Sequence, residues 1–241
     1  KNIKNYNLDE LIEELINLGE KKFRAEQIFK WLYIENVTNF DDMTNLSLEL
    51  REKLKQNYTI DIFEIMKKQV ATDGTKKYLF KLLDDNFIEA VLMEHDYGLS
   101  ICVSSEVGCN MGCKFCESGR LKKVRNLEAY EIVEQILLVE KDIQRRISSV
   151  VIMGIGEPLD NYDNVIKFLR LVSDENGINI GMRNISLSTC GVVTGIYKLM
   201  EENLPLTLSI SLHHSNDESR SELMPINKKW NIDKLLTACK D

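Results

Sequence analysis

Three cysteines set within eight residues are the part of this chain best suited to chemistry. Cys109, Cys113 and Cys116 follow the spacing Cys-x3-Cys-x2-Cys. Three thiolates on one short loop can hold three irons of a cubane [4Fe–4S] cluster, which four cysteines normally hold. The iron that lacks a cysteine can then chelate a small molecule, as an open position does in a catalytic metal centre. The spacing therefore predicts one-electron chemistry in which a cofactor performs the difficult step.

A zinc knuckle is the competing interpretation of the same loop. Cys113 and Cys116 alone would make a zinc half-site. A structural zinc takes four ligands, usually as two separated pairs, and the sequence offers no second pair. Cys190 and Cys239 stand alone, and the histidines at 213 and 214 lie far downstream. We expect a cluster, and zinc or inert thiols remain the alternatives.

The composition is that of an ordinary globular protein. The chain has 241 residues, 44% of them hydrophobic and 29% charged. This allows one or two domains with a sizeable core. No apolar run approaches the length of a bilayer span, and the first residues lack a hydrophobic signal core. Because clustered cysteines suit metal-bound thiolates in a reducing compartment, we expect a cytoplasmic protein with no membrane partner.

The charge is unevenly distributed. A net charge of −7 argues weakly against nucleic acid, but the arrangement of charges matters more than their sum. Residues 114–125, here called the basic loop, hold five basic residues and one acid, Glu117. A solvated loop is the plainer interpretation. Because this segment adjoins the cysteines, we expect phosphate contacts from its basic residues, which are Lys114, Arg120, Lys122, Lys123 and Arg125.

Hydrophobic periodicity divides the chain into three regions. Residues 1–58 predict a small helical accessory domain, with helices over 8–16, 23–33 and 46–57. In residues 59–94 the hydrophobic residues tend to alternate with polar ones, which is typical of strands, and the polar turn at 84–86 predicts a hairpin. Residues 95–241 alternate strands with helices. The predicted strands there are 100–104, 149–153, 184–188 and 206–211, and the predicted helices are 127–145, 162–173, 194–202 and 232–240.

Alternating strands and helices build parallel β/α units, whose ligands bind at the carboxyl ends of the strands. The cysteine loop and the turns at 154–158, 188–191 and 211–214 all follow predicted strands. Their shared position predicts one common site.

Residues in these turns could hold a ligand. Gly156 lets the backbone approach closely, and Glu157 can accept hydrogen bonds from an ammonium group. Ser188 and Ser211 could bind a carboxylate or a ribose. Each also has a plainer interpretation, because the glycine turn could be an ordinary turn and the serines could bond to strand-end backbone. His213 could equally be a packed histidine or a ligand contact.

Several segments together resemble the RlmN family of radical S-adenosylmethionine (SAM) RNA methyltransferases, with the Cfr antibiotic-resistance methylases as close relatives. The likeness runs along essentially the whole chain. Pro158 after Glu157 is more typical of RlmN than of Cfr, which usually has alanine there. The segments that carry the likeness are 23–33, 102–109, 125–127, 153–161 and 223–227.

The resemblance implies an α/β fold built on a partial radical SAM (β/α)6-type barrel, of which four strands are identified here. It implies a [4Fe–4S] cluster and SAM as cofactors, and methylation of adenine C2 in 23S ribosomal RNA and transfer RNA. It also implies an RNA-binding role for residues 1–58 and a low-potential electron donor such as flavodoxin or ferredoxin. We expect a monomer. Adenine C8 methylation, as in Cfr, and a non-catalytic metal-binding or RNA-binding fragment are the alternatives.

Radical chemistry suits this substrate because adenine C2 is an electron-poor sp² carbon that cannot attack the SAM methyl group. In the family's scheme a methylated cysteine near the C-terminus loses a hydrogen to a 5′-deoxyadenosyl radical and then adds to C2. The resemblance gives Glu89 the role of proton acceptor, and Cys102 that of the thiol that resolves the protein–RNA crosslink by forming a disulfide. It assigns the cluster to Cys109, Cys113 and Cys116, and SAM contacts to Gly156, Glu157, Ser188, Ser211, Leu212 and His213.

The family continues well beyond Asp241, and the methyl-carrying cysteine lies in that later part. Cys239 does not match it, because it follows the segment at 225–227 too closely. We therefore expect a truncated chain that binds the cluster without turnover. Cys190 stands where the family more often has serine, and we expect it to serve packing.

Overall fold

The computed structural model describes residues 1–240, and Asp241, the last residue of the third predicted region, lies outside the described residues. A seven-stranded mixed sheet forms the centre, and two short strands make a second sheet. The strands are β1 (Glu64–Val70), β2 (Lys76–Lys81), β3 (Phe87–His95), β4 (Gly98–Val103), β5 (Glu106–Val107), β6 (Arg125–Asn126), β7 (Ser149–Ile152), β8 (Ile185–Thr189) and β9 (Thr207–Ile210). The helices are α1 (Leu8–Asn17), α2 (Lys22–Tyr33), α3 (Leu48–Asn57), α4 (Ala129–Ile143), α5 (Tyr162–Ser173), α6 (Val193–Glu201), α7 (Asp217–Leu223) and α8 (Ile232–Lys240).

The N-terminal helices begin at side-chain caps. Asn7 and Glu10 form a reciprocal capping box at the start of α1, and the Ser47 hydroxyl accepts the Leu50 N–H at the start of α3. A buried ion pair joins this region to α4, since Lys4 Nζ lies 2.7 Å from Glu134 Oε2. The three predicted helices are confirmed within two residues at each end.

The predicted hairpin is also confirmed, as β2 and β3. The strand β1, which precedes it, was not identified from the sequence. Its side chains are almost all exposed and largely polar, so it has no alternating apolar pattern. Antiparallel pairing continues through β3 and β4, and the hairpin therefore extends the central sheet instead of standing apart from it.

Four parallel strands, β4, β7, β8 and β9, alternate with helices α4, α5 and α6, which confirms the predicted α/β architecture. All four were predicted. Helix α7 was not, because its sequence is polar and lacks an apolar stripe. Within residues 1–240, no helix combines the length and the apolar character that crossing a membrane requires.

The two faces of the sheet differ in character. Successive side chains of a strand point to opposite faces, so the strand register assigns each residue to one of them. The face towards the helices is apolar and includes Ile101, Val150, Ile152, Ile185 and Leu187, which are all buried. The other face carries most of the predicted site residues in these strands. Its members include Glu89, Val91, Cys102, Val151, Ser186, Ser188 and Ser209.

Candidate active site

The cysteine loop leaves the sheet after β5 and returns at β6, which pairs antiparallel with β5. Two backbone hydrogen bonds close it, from Cys109 N to Leu121 O at 3.1 Å and from Val124 N to Val107 O at 2.8 Å. Gly108 has φ +75, and a Cβ there would lie 2.3 Å from the Lys122 carbonyl oxygen. Only glycine satisfies both conditions without strain. The loop is therefore held closed at its base.

Three charged side chains strengthen this closure, of which Glu106 is fully buried and Asp160 is exposed. Lys123 Nζ lies 2.5 Å from Glu106 Oε1 and 2.7 Å from Asp160 Oδ2. The Glu106 side chain is 0% exposed and that of Lys123 14%. Burial raises the pKa of Glu106, and Lys123 opposes that rise. The three residues tie both ends of the cysteine loop to the segment that follows Glu157.

The glycine turn after β7 packs directly on Glu106. Gly156 has φ +108, and a Cβ there would lie 2.5 Å from Glu106 Cγ. Glu106 Oε2 accepts the Glu157 N–H at 3.0 Å. The Glu157 carboxylate accepts N–H groups from Leu159 at 3.1 Å and Cys190 at 2.8 Å. Burial raises the pKa of Glu157, while these donors oppose the rise.

These elements enclose a cavity of about 240 Å³ at the carboxyl ends of the parallel strands. It contains all three predicted cluster cysteines and five of the six predicted SAM contacts. Leu212 is the exception, because it packs on the main core and its carbonyl accepts Arg220 Nε at 3.1 Å. The cavity is lined by Cys109, Met111, Cys113, Phe115, Cys116, Ile152, Met153, Gly154, Gly156, Glu157, Ser188, Thr189, Cys190, Ser211, His213 and Met224.

The cysteine side chains suit an iron–sulfur cluster better than a single ion. Burial raises the pKa of Cys109 to about 11 and also raises that of Cys113, so metal binding must displace protons from these thiols. In the described part of the chain, no three His, Cys, Asp or Glu side chains converge as ligands of one metal ion. Four ligands at about 2.3 Å from one zinc would require such convergence. A cluster has a separate iron for each thiolate, and the three cysteines line one cavity in which such a group could bind.

Cys190 enters the site, although it stands alone in the sequence. It packs against Cys113 and Met224. Burial is the main cause that raises the pKa of Cys190, and the negative charge of Glu157 raises it further. The Cys190 thiol therefore stays protonated. This agrees with a packing role. All six cysteines are free thiols. The disulfide that the resemblance implies for Cys102 is thus absent from the described residues.

The ends of β8 and β9 bring two hydroxyl groups and an aromatic pair to the cavity. Ser188 Oγ and Ser211 Oγ are 3.3 Å apart. The rings of Phe115 and His213 are in contact, with centroids 4.3 Å apart and an interplanar angle of 46°. His213 has φ +58, a conformation that a non-glycine residue adopts at a cost in energy. Phe115 was not predicted, although it lies between two of the cysteines.

Glu89 and Cys102 lie outside the cavity lining, on the same face of the sheet. Glu89 Oε1 lies 2.8 Å from Lys77 Nζ, and its side chain is 39% exposed. Burial raises the pKa of Cys102, which a hydrogen bond from the Met153 backbone opposes. The Ser104 hydroxyl links this region to the site, because it donates to Glu89 O at 2.6 Å and accepts the Ile155 N–H at 2.9 Å.

The basic loop is less available than its sequence indicates. Lys123 is held in the ion pairs described above. Arg125 binds Asp84 at 2.6 Å and Glu131 at 2.7 Å. Because both residues already have carboxylate partners, the phosphate contacts expected of the basic loop remain a prediction that fits its other cations better. Lys114, Arg120 and Lys122 remain exposed.

Comparison with known proteins gives two family matches. Residues 1–60 match the ribosomal RNA large subunit methyltransferase N-terminal domain, and residues 103–241 match the radical SAM superfamily. The probable dual-specificity RNA methyltransferase RlmN of Clostridium novyi (strain NT) is 53% identical over 241 residues, which are 100% of this chain and 70% of that protein. The protein of the same name from Staphylococcus saprophyticus is 52% identical over 95% of this chain and 64% of its own length.

A solved structure agrees with these matches. The crystal structure of a radical SAM methyltransferase from Sphaerobacter thermophilus superposes with a TM-score of 0.92 at 36% identity, over 99% of this chain and 71% of that chain. This chain thus spans about two thirds of the length of each of these three proteins. Its residues contain both family domains in order, and they place the three cysteines in one site with the glycine turn. The chain belongs to the RlmN family of radical SAM methyltransferases.

Proposed function

We propose that this chain carries the cluster and SAM site of an enzyme that methylates adenine C2 in 23S ribosomal RNA and transfer RNA. The observation that carries the proposal is the shared cavity, which joins Cys109, Cys113 and Cys116 to Glu157 and to two serine hydroxyls. The relatives named above are dual-specificity RNA methyltransferases. Their name supports RNA as the substrate.

The three cysteines would hold the cluster, which when bound supplies the single electron that cleaves SAM. Glu157 lines the cavity with a carboxylate that backbone donors keep oriented. Its negative charge suits the SAM ammonium group. Ser188 and Ser211 offer hydroxyls that can donate to a carboxylate or bind a ribose. The apolar side chains Met111, Met153 and Met224 also line this cavity, and Met224 is fully buried.

Glu89 is proposed as the group that takes the C2 proton, and Cys102 as the thiol that resolves the protein–RNA crosslink. Their position on one face of the sheet supports a common task. Glu89 is reachable from solvent, and its ion pair with Lys77 holds the carboxylate in place. Cys102 must lose its proton to act, and although burial raises its pKa, the hydrogen bond from the Met153 backbone offsets part of that rise.

RNA would approach from the rim of the cavity. The exposed cations Lys114, Arg120 and Lys122 border the cysteine loop, and phosphate contacts of this kind position a nucleic acid without reading its sequence. We further propose the domain division made from the sequence, with residues 1–58 as an RNA-binding accessory domain. A cytoplasmic setting, a monomeric state and a flavodoxin-type or ferredoxin-type electron donor complete the proposal.

Anaerobic reconstitution of the chain with iron and sulfide tests the site. We expect about four irons and four sulfides per chain. Cys113→Ala should lose most of this iron, because a cluster held by two cysteines is unstable. Cys239→Ala is the matched control, since that thiol is exposed on α8. It should keep the full iron content.

The proposed substrate needs its own measurement. The reconstituted chain should bind ribosomal RNA fragments in competition with transfer RNA, and a protein extended to the length of its relatives should release 5′-deoxyadenosine from SAM in the presence of dithionite. Lys122→Glu should weaken both RNA complexes without changing iron content. Zinc without sulfide in anaerobically purified protein would overturn the cluster assignment. Mass spectrometry of the RNA methylated by a protein extended to the length of its relatives decides between C2 and C8.

A further inference from the structure

Arg220 is the largest fully buried side chain of the protein, and its role is not explained by the reaction above. It lies on α7 and is 0% exposed. Its guanidinium donates to Asn227 Oδ1 at 2.6 Å, to Cys190 O at 2.7 Å and to Leu212 O at 3.1 Å. A longer contact reaches Ser211 O at 3.5 Å. These acceptors are all neutral.

No carboxylate in the described chain forms an ion pair with this guanidinium. Asp217, one turn earlier, is exposed, and its Oδ1 accepts from Asn227 Nδ2 and Ile232 N at 2.9 Å each. Asp217 attracts this charge from a distance but forms no ion pair with it, so the buried guanidinium keeps much of its desolvation penalty. Burial accordingly lowers the pKa of Arg220. The fold retains this charge without using it in an internal ion pair.

The helix that carries Arg220 is in direct contact with the cysteine loop. The Lys114 N–H, next to Cys113, donates to Leu223 O at the end of α7 at 2.9 Å. Met224, whose N–H bonds to Arg220 O at 2.7 Å, packs against Cys113 and Cys190. The guanidinium therefore lies behind the wall of the cavity, where the anionic ligands of a cluster would be its neighbours.

We propose that Arg220 is a positioning residue that supplies the buried counter-charge of the cysteine loop. It balances the negative charge that Cys113 gains on binding iron, and it fixes the ends of β8 and β9 around the SAM site. This inference rests on the proposed function. It assigns a role to a residue that lines neither the cavity nor the sheet face of Glu89.

The charge has a consequence for electron transfer. Reduction by an external one-electron donor adds a negative charge to the cluster. A buried cation nearby stabilises the reduced form, because little water screens the interaction. Arg220 thus raises the midpoint potential and makes reduction easier. Its hydrogen bonds have a separate effect, since they order the turns after β8 and β9.

Two substitutions separate the charge from the hydrogen bonds. Arg220→Gln removes the charge and keeps an N–H donor, whereas Arg220→Lys keeps the charge and loses the planar fork. Lys122→Met is the control, because it removes a positive charge from the cysteine loop itself at an exposed position. Each full-length protein is reconstituted anaerobically and titrated with dithionite, with the reduced cluster followed by electron paramagnetic resonance.

We expect Arg220→Gln to shift the ratio of reduced to oxidised cluster about tenfold towards the oxidised form, which is about 59 mV for a one-electron couple. Arg220→Lys and Lys122→Met should stay near the parent protein. Amide exchange at residues 190–192 and 211–214, measured without the cluster, should rise in both Arg220 variants. Equal midpoint potentials in the Arg220→Gln and Arg220→Lys variants would overturn the proposed counter-charge role of Arg220. Failure of both variants to assemble a cluster would overturn it as well. A parent chain that assembles no cluster would instead refute the proposed function.

Discussion

Lys4 and Arg220 are equally buried cations in two regions of the molecule, and the fold treats them differently. Lys4 lies between the N-terminal helices and α4, and it forms an ion pair with Glu134, in which both side chains are 1% exposed. Arg220 lies behind the cysteine loop and has only neutral acceptors. Lys123, at the base of that loop, is intermediate in burial and binds two carboxylates.

The difference distinguishes charges that stabilise the fold, on Lys4 and Lys123, from the charge on Arg220, which we assign to a bound ligand. Lys4 and Lys123 are neutralised by partners that the chain itself provides, so their removal leaves an unpaired buried acid. Arg220 leaves no such acid. The loss of unfolding free energy on removing each charge should therefore depend on whether the charge is paired, and not on how deeply it is buried. The following substitutions test this.

Lys4→Met should have the largest effect on stability. Breaking a buried pair by removing one partner costs about 3–5 kcal/mol. Burial raises the pKa of the remaining Glu134, so its neutral form is favoured on folding. That contribution is present at low pH and is lost as the pH rises, and the variant should therefore be least stable above neutrality. Urea unfolding at pH 6 and pH 8 measures both effects, and a Lys4→Met/Glu134→Leu double variant close to the parent protein is the control.

Lys123→Met should cost less, about 2–3 kcal/mol, because Lys123 is partly hydrated while Glu106 is not. The loss should be local. Limited proteolysis should cut the cysteine loop faster, since its base is opened, and Lys122→Met should leave the cleavage rate unchanged. An unaltered rate in Lys123→Met would show that the ion pairs do not hold the loop.

Arg220→Gln should cost only about 1–2 kcal/mol despite complete burial. It removes hydrogen bonds worth about 1 kcal/mol each, and it also removes the desolvation penalty of an unpaired charge. Thermal unfolding of the protein without its cluster gives the value. A loss as large as that of Lys4→Met would contradict the distinction drawn above.

Asp84→Asn should have the smallest effect, below about 1 kcal/mol, because the pair with Arg125 is partly exposed. Arg125 lowers the pKa of Asp84 from 3.8 to about 2. Because the pKa of Asp84 is lower in the folded chain than in the unfolded chain, its carboxylate stabilises the fold at any pH above the unfolded pKa. This stabilisation is lost as the pH falls through the folded pKa. The difference between the parent protein and Asp84→Asn should therefore be constant above pH 5 and vanish towards pH 2. A pH series of unfolding free energies is the measurement.

Local patterns predicted most elements and the core of the site. Alternating or periodic apolar residues marked the four parallel strands and the helices around them. Cysteine spacing identified Cys109, Cys113 and Cys116, and strand ends identified Ser188 and Ser211. These features depend on neighbours in the sequence, which is why a single chain reveals them.

Long-range pairing was not predictable in this way. Arg220 belongs to a polar stretch of sequence that is typical of a solvent-exposed helix, although the Arg220 side chain is 0% exposed. Lys123 and Arg125 read as free cations, because Glu106, Asp84 and Glu131 become their partners only after folding. Cys190 reads as isolated for the same reason. Burial of a charge is a property of the tertiary structure and leaves no periodic signal.

One hydroxyl group adds a direct link between the hairpin and the glycine turn, which the central sheet already joins. Ser104 holds the backbone of Glu89 on the hairpin and the N–H of Ile155 in the glycine turn. An outward swing of the hairpin must either break one of these bonds or carry the turn along. A shift of the backbone at Glu89 would thus reach the cofactor side of the cavity through two hydrogen bonds.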